Sequence, residues 1–223
     1  MLFSILFLQP DINIGACIIN EPMGAFTNLL ITLAALVGYF KLSKLLVTDA
    51  YLNYWKMFFV TMAFAMFYAG CTHAFKWVFT TQQYKYVWLS MNLIGIVPTF
   101  FATQASLCFS PNKYFKSIIY TLLIAVVVFT IVKNNFLFVK IAAGLGVFTI
   151  LYMHTILYKR TAFEPSPLII AGMCIGISTI IIHSLKLSLH TWCNYKDISH
   201  VLMAVSVYVI FLGVKRYTVI PQK

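Results

Sequence analysis

The chain contains 223 residues, of which 61% are hydrophobic and only 9% are charged. Soluble domains carry about 25% charged residues, so this composition excludes a soluble globular protein and indicates an integral membrane protein. The formal net charge of +11 does not indicate nucleic-acid binding, because the lysines and arginines are dispersed among apolar segments. In that setting they are typical of topology anchors that contact lipid head groups. Membrane lipids, and not nucleic acids, are therefore the expected partners.

Seven segments are long and apolar enough to cross a membrane, which takes about 20 residues in a helix. Polar or proline-containing breaks separate them, for example at 110–112 and 164–167. The sequence therefore predicts an all-α fold, one seven-helix transmembrane domain over residues 1–223. The predicted spans are 24–46, 54–79, 85–108, 115–133, 136–158, 167–190 and 197–219.

The distribution of lysine and arginine predicts the orientation of this bundle. More of the 16 basic residues fall in cytoplasmic loops when the N-terminus is outside and the C-terminus inside, as the positive-inside rule requires. We expect this topology in a plasma membrane or bacterial inner membrane. It puts Cys17 and Cys193 on the same side of the membrane, where a disulfide between them is possible.

Polar side chains gather in the extracytoplasmic half of the predicted bundle, where ionisable residues normally face the interior and mark a functional site. Spacings of three and four residues predict that His183, Lys186 and His190 share one helical face, and Asp197 shares a face with His200. His154, near the opposite end, is expected at the membrane interface. The gathered residues are Asn28, His73, Asn92, His183, Lys186, His190, Lys196, Asp197 and His200.

Two of these histidines and one carboxylate suggest a metal site. His73 and His200 supply nitrogen and Asp197 supplies oxygen, the ligand atoms that Zn²⁺ binds at about 2.0–2.2 Å. A zinc ion with one open position makes its bound water nucleophilic, which would suit cleavage of an ester or amide bond in a lipid substrate. Asp197 could instead orient a ligand histidine without binding the metal itself.

The stretches FYAGCTHAF (67–75) and KDISHVLM (196–203) resemble motifs of the CREST superfamily, which includes the alkaline ceramidases and the progestin and adipoQ receptors. These are seven-helix membrane proteins, and several are zinc-dependent hydrolases of ceramide-like amides. The resemblance implies the same fold along nearly the whole chain, with zinc held by His73 and His200.

The chain departs from the CREST pattern at three positions. Ala69 stands at the serine position, Lys196 stands at the first histidine of the helix 7 motif, and Ser90 or Asn92 would replace the helix 3 aspartate. A complete zinc site would then need Asp197 or a histidine of the sixth segment, His183 or His190.

Three functions remain open at this stage. The first is a metal-dependent hydrolase of lipid amides or esters, with Asp197 and Asn92 as catalytic candidates. The second is a non-catalytic receptor or sensor with a metal-free polar cluster, in which Lys196 or Lys186 pairs with Asp197. The third is a small transporter.

Overall fold

A computed structural model describes residues 9–46 and 49–217, and it confirms the all-α prediction. Each of its seven long helices is long and apolar enough to cross a membrane, which suggests a multi-pass integral membrane protein. The helices are α1 (Pro22–Ser43), α2 (Ala50–Ala74), α3 (Thr81–Leu107), α4 (Lys113–Lys133), α5 (Leu137–Thr161), α6 (Ser166–Leu185) and α7 (Tyr195–Lys215).

Polar residues at the helix starts determine where several helices begin. The carboxylate of Asp49 accepts a hydrogen bond from the Leu52 amide at 2.8 Å and caps α2. Thr80 with Gln83 forms a reciprocal capping box at the start of α3, and Asn194 with Asp197 forms another at the start of α7. These side chains satisfy amide groups that have no partner inside the helix.

The predicted ends of the second and sixth helices, 79 and 190, each lie five residues too late, and the earlier end of the sixth helix removes a predicted helical face. Helix α2 ends at Ala74, followed by a 3₁₀ turn over Lys76–Val78. Helix α6 ends at Leu185, because Lys186 adopts the left-handed conformation with φ 54° and ψ 40°, a geometry that terminates helices. His190 therefore lies in the following loop, in an isolated β-bridge with Cys193, and shares no helical face with His183.

Six of the helices form a closed ring in the order α1, α2, α3, α5, α6, α7, and α7 returns to α1. Helix α4 packs outside this ring, against α3 and α5. The approach of α6 to α7 depends on two glycines. A Cβ at Gly172 would lie 3.1 Å from the Ser206 carbonyl oxygen, and one at Gly213 would lie 3.0 Å from the Ile169 nitrogen.

A short hairpin precedes α1 and lies at one end of the ring. Its strands, β1 (Ile12–Ile14) and β2 (Cys17–Ile19), pair in antiparallel register around Gly15, which has a φ of 60°. The amide of Asn20 donates to the Ala74 carbonyl at 2.9 Å. This bond ties the chain after the hairpin to the end of α2, so that Glu21 lies beside the end of α2.

Candidate functional site

A carboxylate between three helices forms the centre of the candidate site. The Lys196 ammonium donates to both oxygens of Glu21, at 2.8 and 2.7 Å, and Nδ1 of His73 lies 3.1 Å from Oε2 of the same carboxylate. These residues stand at the start of α1, the end of α2 and the start of α7. We call them the carboxylate clamp, because one acidic side chain links the ends of α1 and α2 to α7, which is far from both in sequence.

The backbone and the charge state of Glu21 both reflect this position. Glu21 adopts φ 44° and ψ 55°, and a non-glycine residue held in this region costs about 1–3 kcal/mol. Burial by itself would raise the pKa of the Glu21 carboxyl, but the hydrogen bond and charge of His73 and the charge of Lys196 outweigh it and lower the pKa to about 2. Glu21 is therefore ionised at neutral pH.

Asp197 contacts different partners and does not pair with Lys196. Its carboxylate accepts from the Asn194 amide at 2.9 Å and from the side-chain amide of Gln9. The side-chain oxygen Oε1 of Gln9 in turn accepts from the Met23 backbone amide at 3.2 Å. Asp197 thus caps α7 and connects it to the start of α1 through Gln9. The predicted pairing of Lys196 with Asp197 is wrong, because Glu21 holds the ammonium.

His200 and His183 lie at the same end of the bundle but are held by separate contacts. Nδ1 of His200 is 3.0 Å from the Thr27 hydroxyl. The same hydroxyl donates a hydrogen bond to the Met23 carbonyl at 2.8 Å. When the Thr27 proton bonds to Met23, the His200 ring must donate its own Nδ1 proton to Thr27. The His183 ring packs against Tyr195 and Phe136, with centroid separations of 5.0 and 5.5 Å.

Two amide side chains are buried within the helices that lead to this end. Asn28 and Asn92 are each only 1% exposed. The Asn28 amide group donates to the Gly24 carbonyl at 2.8 Å, but its oxygen has no partner among the described residues. Both polar atoms of Asn92 lack a partner there as well. A buried polar group without a partner costs about 1–3 kcal/mol, so these amides are natural positions for internal water.

A cleft of about 630 Å³ opens beside the carboxylate clamp. Its walls come from the ends of five helices and from the 3₁₀ turn after α2, and they combine basic, aromatic and amide side chains with one carboxylate. The cleft is lined by Glu21, His73, Lys76, Tyr84, Lys85, Trp88, Asn134 and Lys196. Its volume lies in the range of small-molecule sites, roughly 300–1,000 Å³.

The arrangement of donors does not fit the zinc site that the resemblance implies. Within residues 9–46 and 49–217, no three His, Cys, Asp or Glu side chains come together so that they could hold a metal ion. His73 is engaged with Glu21, and His200 is engaged with Thr27. Cys17 and Cys193 are both free and form no disulfide.

The structure brings together only part of the set chosen from the sequence. His73 and Lys196 meet in the carboxylate clamp. By contrast, Lys186 is exposed at the end of α6, and His190 is exposed in the loop that follows. Sequence reasoning missed Glu21, which lies just before the first predicted span and was not among the gathered polar residues. The composition could have pointed to Glu21. The chain has only five acidic residues for 16 lysines and arginines, so each carboxylate near a buried cation is a candidate partner.

His154 lies at the opposite end, and its side chain is buried inside the bundle, whereas the prediction of an interfacial residue implies an exposed one. It is 0% exposed, and its Nδ1 is 3.0 Å from the Ser166 hydroxyl. Its ring also packs near Tyr51 and Phe163. Beside this cluster the Tyr217 hydroxyl bonds to the carboxylate of Asp49, so polar contacts stabilise this end of the ring too.

Comparison with known proteins adds a family but no activity. No curated protein and no solved structure matches the chain. Residues 23–219, which include all seven helices except the first residue of α1, match one family model. The chain therefore belongs to the family described as a family of unknown function (DUF6962).

Proposed function

We propose that this protein is a membrane receptor or sensor whose carboxylate clamp is a metal-free switch. The observation that supports it is the single Glu21 carboxylate shared by Lys196 and His73. A ligand that draws one of these partners away from the carboxylate weakens a contact between α1, α2 and α7. Charged groups inside a bundle commonly serve as such functional elements, and an interface with two packing arrangements converts a local change into a helix shift.

Metal content discriminates between this proposal and the lipid amide or ester hydrolase. We expect detergent-purified protein to contain far less than one zinc per chain by inductively coupled plasma mass spectrometry, and His73→Ala and His200→Ala to have the same low content. About one zinc per chain, lost in both variants, would contradict the metal-free clamp. That result would favour a zinc hydrolase using these histidines, and it would justify a screen of lipid amides and esters.

We further propose that the N-terminus and the cleft face the outside of a plasma membrane or bacterial inner membrane, with the C-terminus inside. The excess of basic residues in the loops at the opposite end of the bundle supports this orientation. It places the carboxylate clamp where an extracellular ligand would reach it.

Two exposed positions at opposite ends of the bundle test this orientation. Leu189 is 81% exposed in the loop after α6, and Tyr114 is 83% exposed at the start of α4. In a background with the five cysteines replaced by alanine, we expect Leu189→Cys to react with a membrane-impermeant maleimide in intact cells. The matched variant Tyr114→Cys should react only after permeabilisation. The reverse pattern of labelling would show that the C-terminus is outside.

A further inference from the structure

The cleft carries more positive than negative charge. Three lysines line it, Lys76, Lys85 and Lys196, against the single carboxylate of Glu21. Glu21 already pairs with Lys196, and the other two lysines are exposed and form no salt bridge within the described residues. A concave site with an excess of ammonium groups attracts anions.

The remaining walls of the cleft indicate an amphipathic ligand. The rings of Trp88 and Tyr84 form the aromatic part, and the Lys76 ammonium lies 5.4 Å from the Tyr84 ring centre. Tryptophan and tyrosine are enriched at the depth of lipid head groups. The cleft lies at the helix ends, which is the depth at which head groups meet the ends of a spanning bundle.

Asn134 adds a requirement for a hydrogen-bond donor. Its amide nitrogen donates to the Lys85 carbonyl at 3.1 Å, while its buried side-chain oxygen has no partner among the described residues. A ligand hydroxyl would satisfy that oxygen once the Asn134 side chain turns it into the cleft that the residue lines. A phosphate beside a hydroxyl therefore matches the lysines and Asn134 together, whereas a choline phosphate offers no donor.

We propose that the cleft binds the phosphate of a glycerol phosphate group, as found in the head group of phosphatidylglycerol or in free glycerol phosphate. Lys76 and Lys85 hold the phosphate, and a hydroxyl of the glycerol donates to Asn134. Because Lys196 lines the same cleft, the bound phosphate competes with Glu21 for its ammonium. Binding of the phosphate would thus act on the carboxylate clamp of the sensor. This link between the cleft and the clamp rests on the proposed function.

Native mass spectrometry of the detergent-purified full chain tests the binding. We expect phosphatidylglycerol to be retained in preference to phosphatidylcholine. The double variant Lys76→Gln with Lys85→Gln should bind phosphatidylglycerol about thirtyfold more weakly, because a lysine near an anionic head group contributes about fivefold in affinity. The control is the double variant Lys113→Gln with Lys133→Gln, which removes the same charge from residues that do not line the cleft. Lys133 lies at the same end of the bundle as the cleft. This control should bind phosphatidylglycerol as the wild type does.

The outcomes separate the two sources of phosphate and the two proposals. Displacement of phosphatidylglycerol from the wild-type protein by millimolar glycerol 3-phosphate would assign the site to the free compound, and retention would assign it to the lipid. Equal binding of both lipids by the wild type would overturn the site even if the cleft variant does not fold. An equal loss in both double variants would also overturn it. Zinc content tests the metal-free clamp separately, since neither Lys76 nor Lys85 belongs to it.

Discussion

We expect Gly213→Ala to be among the most destabilising single-methyl changes in the bundle. The added Cβ would lie 3.0 Å from both the Ile169 nitrogen and the Pro165 carbonyl oxygen. Backbone atoms cannot move aside as a side chain can, so α6 and α7 must separate. Overpacking of this kind costs about 1–3 kcal/mol, which thermal unfolding in detergent would register as a lower midpoint.

Gly144→Ala in α5 is the matched control for this change. No atom lies within 4 Å of a Cβ built at Gly144. At Gly144 the substitution should leave the thermal unfolding midpoint unchanged or raise it, because alanine is more favourable than glycine inside a helix by about 1 kcal/mol. Equal midpoints for Gly213→Ala and Gly144→Ala would contradict the close packing of α6 and α7.

Glu21→Gln should destabilise the end of the bundle that holds the carboxylate clamp. The amide cannot neutralise Lys196, which is left partly buried with no carboxylate at its ammonium. Hydrogen bonds to charged groups contribute about 1.5–3 kcal/mol, so we expect a loss of that order in the free energy of unfolding. Hydrogen exchange should rise most in the first turns of α1 and α7.

Glu164→Gln removes the same charge from an exposed position at the other end and serves as the control. Its stability should remain close to that of the wild type, because exposed charges contribute little. A loss equal to that of Glu21→Gln would mean that net charge, and not the clamp, determines the effect.

The contribution of Glu21 should disappear in acid. Its pKa falls from an ordinary value of 4.5 to about 2 in the folded protein, so the unfolded chain takes up the proton first as the pH is lowered. The stability that the ionised clamp supplies is complete above about pH 4.5 and is lost as the pH falls towards 2. The difference in unfolding midpoint between the wild type and Glu21→Gln should therefore be smaller at pH 3 than at pH 6.

Hydropathy was sufficient to predict the number of helices but not where they end. Each span needs about 20 apolar residues, and that signal is strong in all seven. The end of α6 was misplaced because Leu187 and Leu189 continue the apolar pattern after the backbone has turned at Lys186. Hydropathy does not detect a left-handed residue, which is a feature of the backbone.

The site was only half predictable, because its central contact joins distant parts of the chain. His73 and Lys196 stood out as costly residues near the ends of apolar segments. Their shared partner Glu21 lies outside those segments, and its role depends on α1 being a neighbour of both α2 and α7. The zinc expectation relied on two histidines, which the fold engages with different partners, Glu21 and Thr27.

The separation of Glu21 and Lys196 has a consequence for how the protein is made. The two residues are 175 positions apart, and ribosomes add about 5–20 residues per second, so roughly 9–35 s pass between their synthesis. During that interval six helices, α1 to α6, are completed while α1 and α2 have no α7 to join. The newly made protein therefore holds Glu21 with His73 as its available partner and without the Lys196 ammonium until the last helix arrives.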